Sequence, residues 1–361
     1  MKTFLLAATL CSTLMATAQT INVTNTEAGK LGPIAMPAVA VSGPLNKADF
    51  NKLDAIQGVT IKQLDLSGAD VQEIPDSAFF TRCHLNDNGA PIWDSNEVFL
   101  SYVLPGTLTS IGKSAFYGTV ATNVDFSACK QLTSVGEHAF DGAVVEAINL
   151  KDLTALKILD NYALGQTHAA TINLDGCAAL DTICERAFYN SYFVTATSFK
   201  GLTSLKFIGN RAFLNLGKTS GNAGVLDLTE CTALETIDES AFQSAKVTAV
   251  RFPASLKEIK AKAFNLASKI TELTFLGTVP PTLGATAFTN AVMSGATVYV
   301  PAGSEEAYKA AGFENVTTAT AVSAARLSDG DSSTTYDLNG RQVSDAARGI
   351  VITNGRKIAN K

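Results

Sequence analysis

The residues able to do acid–base, nucleophilic or metal chemistry are few and dispersed. The histidines are His84, His138 and His168. His138 and His168 fall in different phases of the sequence pattern, at positions where residue type varies, and read as surface residues. No HExxH, GxSxG, P-loop or dinucleotide fingerprint occurs, so the chemistries that need those spacings are not indicated. "LNDNGAPIWDSNE", residues 85–97, gathers carboxylates and amides without the ligand spacing of a calcium loop. The sequence therefore names no catalytic residue, no metal site and no cofactor.

Cysteine needs a separate account. Cys11 lies in an apolar leader, and five more follow: Cys83, Cys129, Cys177, Cys184 and Cys231. An odd number does not fit a fully paired disulfide framework. Cys129, Cys177 and Cys231 each precede a leucine by three residues, and Leu153 and Leu202 hold the same place in the intervening units. The cysteines are thus two units apart. At ~4.8 Å per strand rung that is ~10 Å, beyond the ~7 Å Cα limit for a disulfide. The 2- to 4-residue ligand spacing of a zinc site is also missing. The three read as buried free thiols.

The elements that must place these residues come from a repeat. "LTSIGKSAF" at 108 returns as "LTSVGEHAF" at 132, "LDTICERAF" at 180, "LKFIGNRAF" at 205, "LETIDESAF" at 234 and "LKEIKAKAF" at 256. Its anchor falls at Phe79, Phe116, Phe140, Leu164, Phe188, Phe213, Phe242, Phe264 and Phe288. A period in this range signals a solenoid. In one unit, Leu108 and Ile111 point inward, Gly112 is a turn position, "KSAF" is a short helical or irregular corner, and "TNVDF" is a strand with Val124 and Phe126 inward. No coil can bury its own apolar face, so the invariant letters become ladders along the stack.

Both ends need closing. Residues 1–18 read as a signal peptide: Lys2, the apolar "TFLLAATLCSTLMA", and small residues at Ala16 and Ala18. That run is too short to cross a bilayer, and no other stretch could. Residues 19–57 read as an N-terminal cap with a strand in "AVAVSGPL" and a helix capped by Asn46. Residues 58–302 are the repeats, interrupted at 80–104. Residues 303–316 hold a capping helix from Ser304, 317–335 a polar linker, and 336–361 a basic β-hairpin tail with Asn339-Gly340 and Asn354-Gly355. Net charge is −5, with no basic block to suggest nucleic acid.

"LTSIGKSAF", "VTAVRFPASLKEI" and "VYVPAGSEEAYKAAG" resemble the BspA-like leucine-rich-repeat proteins of Bacteroides-type bacteria across about residues 71–316. The resemblance implies a curved right-handed leucine-rich-repeat solenoid. Its parallel β-sheet would lie on the concave face, with short helical or irregular convex segments. It also implies an exported protein, held at the cell surface or outer membrane or secreted, that binds an extracellular protein or glycan. The tail looks like the sorting modules of secreted proteins from these bacteria.

The candidate surface is the outward row of the strands: Asp125, Asn149, Asn173, Ser198, Asp227, Arg251, Thr274 and Tyr299. Among these, Asp125, Asn149, Asn173, Asp227, Arg251 and Tyr299 are the ligand-binding candidates, with Arg251 and Tyr299 most like hot spots. A plainer account is that Asn and Asp hydrogen-bond along the stack. The alternative function is a structural subunit of a surface layer or fimbria-like assembly.

Overall fold

In the computed structural model, residues 20–34, 37–56, 62–80 and 100–319 are described. So is the backbone of six short strands at 84–85, 91–92, 335–337, 342–343, 349–353 and 356–360. The segment 1–18 read as a signal peptide, Cys11, Cys83, Trp93 and most of the segments 80–104 and 317–335, read as an insertion and a linker, lie outside these residues.

The repeat letters form the core. Leu108, Leu132, Leu156, Leu180, Leu205 and Leu234 are buried, and Cys129, Cys177 and Cys231 beside them are fully buried free thiols. The anchor phenylalanines stack along the solenoid in two runs. Phe116 and Phe140 are 4.7 Å apart and 5° from parallel, and Phe188, Phe213, Phe242, Phe264 and Phe288 continue at 4.8–5.1 Å. Leu164 separates the runs. Successive coils lie one strand rung apart, a spacing that places rings in stacking contact.

Each coil contributes two strands. One set builds three parallel sheets that follow one another: Ile21–Thr24, Ala38–Pro44, Gln63–Asp70, Leu100–Val103 and Ala121–Asp125; then Ala147–Asn149, Thr171–Asn173 and Ala196–Ser198; then Val225–Asp227, Ala249–Phe252, Glu272–Phe275, Thr297–Val300 and Val316–Thr318. The other set comes from "LTSI", read above only for its inward residues. It forms a second parallel sheet of nine two-residue strands, from Glu73–Ile74 to Thr282–Leu283. Ile111, Val135, Leu159, Ile183, Ile208, Ile237 and Ile259 make its buried rung.

The corner is a run of turns. Gly112 does not have a left-handed backbone. One left-handed position is the residue before Ala-Phe: Ser77, Ser114, His138, Tyr162, Arg186, Arg211, Ser240, Lys262 and Thr286, all with φ between 53° and 58°. Such a backbone costs a non-glycine residue ~1–3 kcal/mol. Bonds between coils offset the cost: His138 N–H donates to Asn161 O at 2.9 Å, Phe140 N–H to Ala163 O at 2.7 Å, and the other corners repeat this. Gly112 serves close approach instead, because a Cβ there would lie 2.6 Å from Asp76 N.

The first sheet runs through both the cap and the first repeats. The cap helix α1, Lys47–Ile56, plugs the front end, with Phe50 fully buried against Phe79 at 5.7 Å. Asn46 Oδ1 accepts from Ala48 N–H, and Asp49 returns the bond by accepting from Asn46 N–H, a reciprocal capping box. Burial works to raise the Asp49 carboxyl. The N–H donors of Leu31, Gly29 and Asn46 outweigh it and hold the group below the ordinary aspartate range.

At the far end, α2 (Asn290–Gly295) and α3 (Glu305–Ala310) close the core, with Tyr308 and Phe313 buried against Phe275. One further strand, Val316–Thr318, pairs with Thr297–Val300. It reaches into the segment read as linker, where β-branched residues suit a strand. The tail strands Thr335–Asp337, Gln342–Val343, Gly349–Thr353 and Arg356–Asn360 pair antiparallel, and Thr353 pairs with Arg356 around Asn354-Gly355.

Candidate functional site

The outward row is present, in three blocks. Asp125 aligns with Val103; Asn149 with Asn173 and Ser198; Asp227 with Arg251, Thr274 and Tyr299. Asp and Asn recur here because they turn their own coil. Asp125 Oδ1 accepts from Ser127 N–H at 2.8 Å, Asn149 Oδ1 from Lys151 N–H at 3.3 Å, Asn173 Oδ1 from Asp175 N–H at 2.9 Å, and Asp227 Oδ1 from Thr229 N–H at 3.0 Å. These are Asx turns, in which the side chain bonds backbone two residues on. These bonds lie within a coil; the bond along the stack that the sequence suggested is made by Asp227, which accepts from Arg251 through Oδ2.

Two further positions differ from expectation. Arg251 is not a free cation: its guanidinium lies 3.0 Å from Asp227 Oδ2, and its side chain is only 13% exposed. The parallel register sets the two side by side in adjacent strands, where opposite charges pair. Thr274 is buried, at 2% exposure, although its register is outward. It is a short side chain between the longer Arg251 and Tyr299 in the flanking strands. Tyr299 is half-buried.

The face opens where the first sheet ends. In three steps the chain after the strand donates to the next coil: Leu150 N–H to Asn173 O, Leu174 N–H to Ser198 O and Leu228 N–H to Arg251 O, each at 2.9 Å. No such bond joins Phe126 N–H to Asn149 O. The pairing of Ala121–Asp125 with Leu100–Val103 carries a register shift at Leu100/Ser101. Irregularities of this kind increase local twist and turn the far strand edge away. The gap is a cavity of about 220 Å³ lined by Asn123, Asp125, Ser127, Lys130, Asn149 and Lys151, with Val124, Phe126 and Asp152. Lys130 Nζ donates to Asp152 O at 3.1 Å. Asp125 and Asn149 were legible in the sequence as site residues; the lysines were not, because they follow the strand.

A second feature went unread. Along the corner, Phe80 and Tyr117 stack at 5.0 Å, His138 and Tyr162 at 4.6 Å, and Arg186 lies 5.3 Å from the Tyr162 ring. His138 Nδ1 is 2.7 Å from Asp141 Oδ2, which also accepts through Oδ1 from Gln166 Nε2. The signal was there: all of these residues but Gln166 sit two before or one after the anchor.

Among the described residues no three His, Cys, Asp or Glu side chains are placed to hold a metal, and no helix is long and apolar enough to cross a membrane. Burial pushes the Cys129 and Cys231 thiols up to about 12 and Cys177 up to about 11, unsuited to nucleophilic work.

The model of the BspA-type leucine-rich-repeat region matches residues 95–220 and 226–323 with six copies. No curated protein sequence matches the chain. Among solved structures, it is similar to the pneumococcal vaccine antigen PcpA, at 15% identity and TM-score 0.31 over 82% of each chain. It is also similar to a leucine-rich cell surface protein from Faecalibacterium prausnitzii, at 13% identity and TM-score 0.22 over 60% of this chain and 88% of that one. A leucine-rich-repeat protein from Bacteroides ovatus matches at 18% identity and TM-score 0.21 over 71% and 86%. With stacked parallel coils and a family match over more than half its length, the chain belongs to the BspA-type leucine-rich-repeat proteins.

Proposed function

We propose that this chain is a non-enzymatic, exported leucine-rich-repeat protein whose strand face binds a protein or glycan outside the cell. The observation that carries the reading is the face itself. Exposed Asn123, Ala147, Asn149 and Thr171 are small or polar and stand on parallel strands fixed by a continuous core. Small side chains on a rigid array let a large ligand approach closely, as repeat surfaces commonly do. The apolar leader of 1–18 supports export, and the basic tail of 336–361 supports sorting or anchoring at the envelope.

The test is capture of extracellular-matrix proteins and mixed polysaccharides by the immobilised full chain, with an Arg251→Ala/Tyr299→Ala variant alongside. Saturable capture supports the reading. Its loss in the variant would place the contact at the C-terminal block. Failure to capture either class, with self-association in light scattering, would replace it with the assembly reading.

One observation favours that alternative. Leu276 and Val279 are 42% and 74% exposed in a single loop, and Tyr308 Oη holds that loop by donating to Gly277 O at 2.8 Å. A fixed apolar projection at the end of a solenoid suits contact with another subunit. Under that reading Val279→Asp lowers the mass seen by light scattering.

A further inference from the structure

We propose that the cavity between Ala121–Asp125 and Ala147–Asn149 holds one sugar residue of a glycan, bound by Asn123, Asp125, Asn149 and Lys151. The inference rests on the strand face being a binding surface, and it names the ligand class and the place.

The first ground is hydrogen-bonding capacity. Asp125 commits Oδ1 to the Ser127 turn and Asn149 commits Oδ1 to the Lys151 turn. This leaves a carboxylate oxygen on one wall and an amide NH₂ on the other. Asn123 is exposed and brings a whole amide, and Lys151 is exposed and brings an ammonium without an ion pair among the described residues. Phe126 and Asn149 line the same cavity, and the backbone bond that would join them is missing. The lining therefore interleaves donors and acceptors. Each hydroxyl of a sugar both donates and accepts, so neighbouring hydroxyls match such a lining pair by pair.

The second ground is what the cavity disfavours. Its apolar side chains, Val124 and Phe126, are 9% and 5% exposed and face the core. They offer a peptide side chain little apolar surface to anchor on. Asp125 and Asp152 oppose a phosphate, and Lys130 and Lys151 balance them, so the site is close to neutral. At about 220 Å³ the cavity is below the ~300–1,000 Å³ of drug-sized sites and suits a single ring of a longer chain.

The experiment probes the full chain against an array of neutral and acidic oligosaccharides, then titrates the strongest binder into Lys151→Ala and Asn149→Asp. Asn149→Asp keeps the turn, since Asp125 and Asp227 make it elsewhere, but exchanges the NH₂ donor for an oxygen. Each change is expected to weaken binding at least about tenfold, with thermal unfolding unchanged. Glycan binding that is indifferent to both variants overturns the cavity assignment and leaves the strand-face reading standing. Capture of matrix proteins with no oligosaccharide bound overturns the sugar assignment in the same way. Absence of any captured ligand removes the strand-face reading and this inference with it.

Discussion

Two neighbouring steps of the strand face use the same residue types and end differently. From Asn149 to Asn173 the strands pair, and Leu150 N–H reaches Asn173 O at 2.9 Å. From Asp125 to Asn149 the Asx turns persist, yet the strands do not pair and the cavity opens. Beneath both steps the core is continuous, with Phe140, Leu164, Cys129 and Cys177 all buried. The corner and "LTSI" ladders cross both steps as well. A coil is held by three ladders, and one can be released locally while the others keep the stack. A repeat protein can thus open a pocket without losing its core.

The comparison can be broken most strongly at the core. Phe213 has a stacked ring on both sides and Phe140 on one. Phe213→Ala is expected to cost ~3–5 kcal/mol in denaturant unfolding, and Phe140→Ala about 1 kcal/mol less, since an aromatic pair adds ~0.5–1.5 kcal/mol. Equal losses would mean that the rings act only as volume. Amide exchange reads the ladder directly: Phe126 N–H should exchange at least about tenfold faster than Leu150 N–H under native conditions. Equal protection would close the splayed step.

Asn173→Ala, at the paired step, should cost about 1 kcal/mol through the lost turn bond. Asn149→Ala should cost less, because Asn149 is exposed and its turn bond is 3.3 Å long. The smallest difference is expected at the thiols. Cys129 under the open step and Cys177 under the paired one should resist maleimide alike at pH 8, reacting on unfolding. Faster labelling of Cys129 would show that the opening reaches the core. Since burial raises both thiols toward about 12 and about 11 from 9.0, the unfolded chain ionises first, and stability falls as pH rises above about 9.

Much of this was legible. Invariant Leu, Ile and Phe at fixed spacing can only be ladders, and Cys129, Cys177 and Cys231 alternating with Leu153 and Leu202 could only be buried apolar positions. The "LTSI" sheet was not legible as a sheet, because two-residue strands carry too short an alternation to register as a period. The left-handed positions before Ala-Phe were hidden because Ser, His, Tyr, Arg, Lys and Thr all occupy them. Their conformation is imposed by bonds to the next coil, and no residue preference announces it.

The sequence alone determined the solenoid, its inward letters and the row from Asp125 to Tyr299, since burial of a repeating apolar face has one economical solution, stacking. Tertiary structure alone decided which members of that row are available. Arg251 is held by Asp227, Thr274 is buried between its neighbours, and Asn149 lines an opening. Those outcomes depend on how adjacent coils are twisted against each other, a relation between residues more than twenty positions apart that no single repeat encodes.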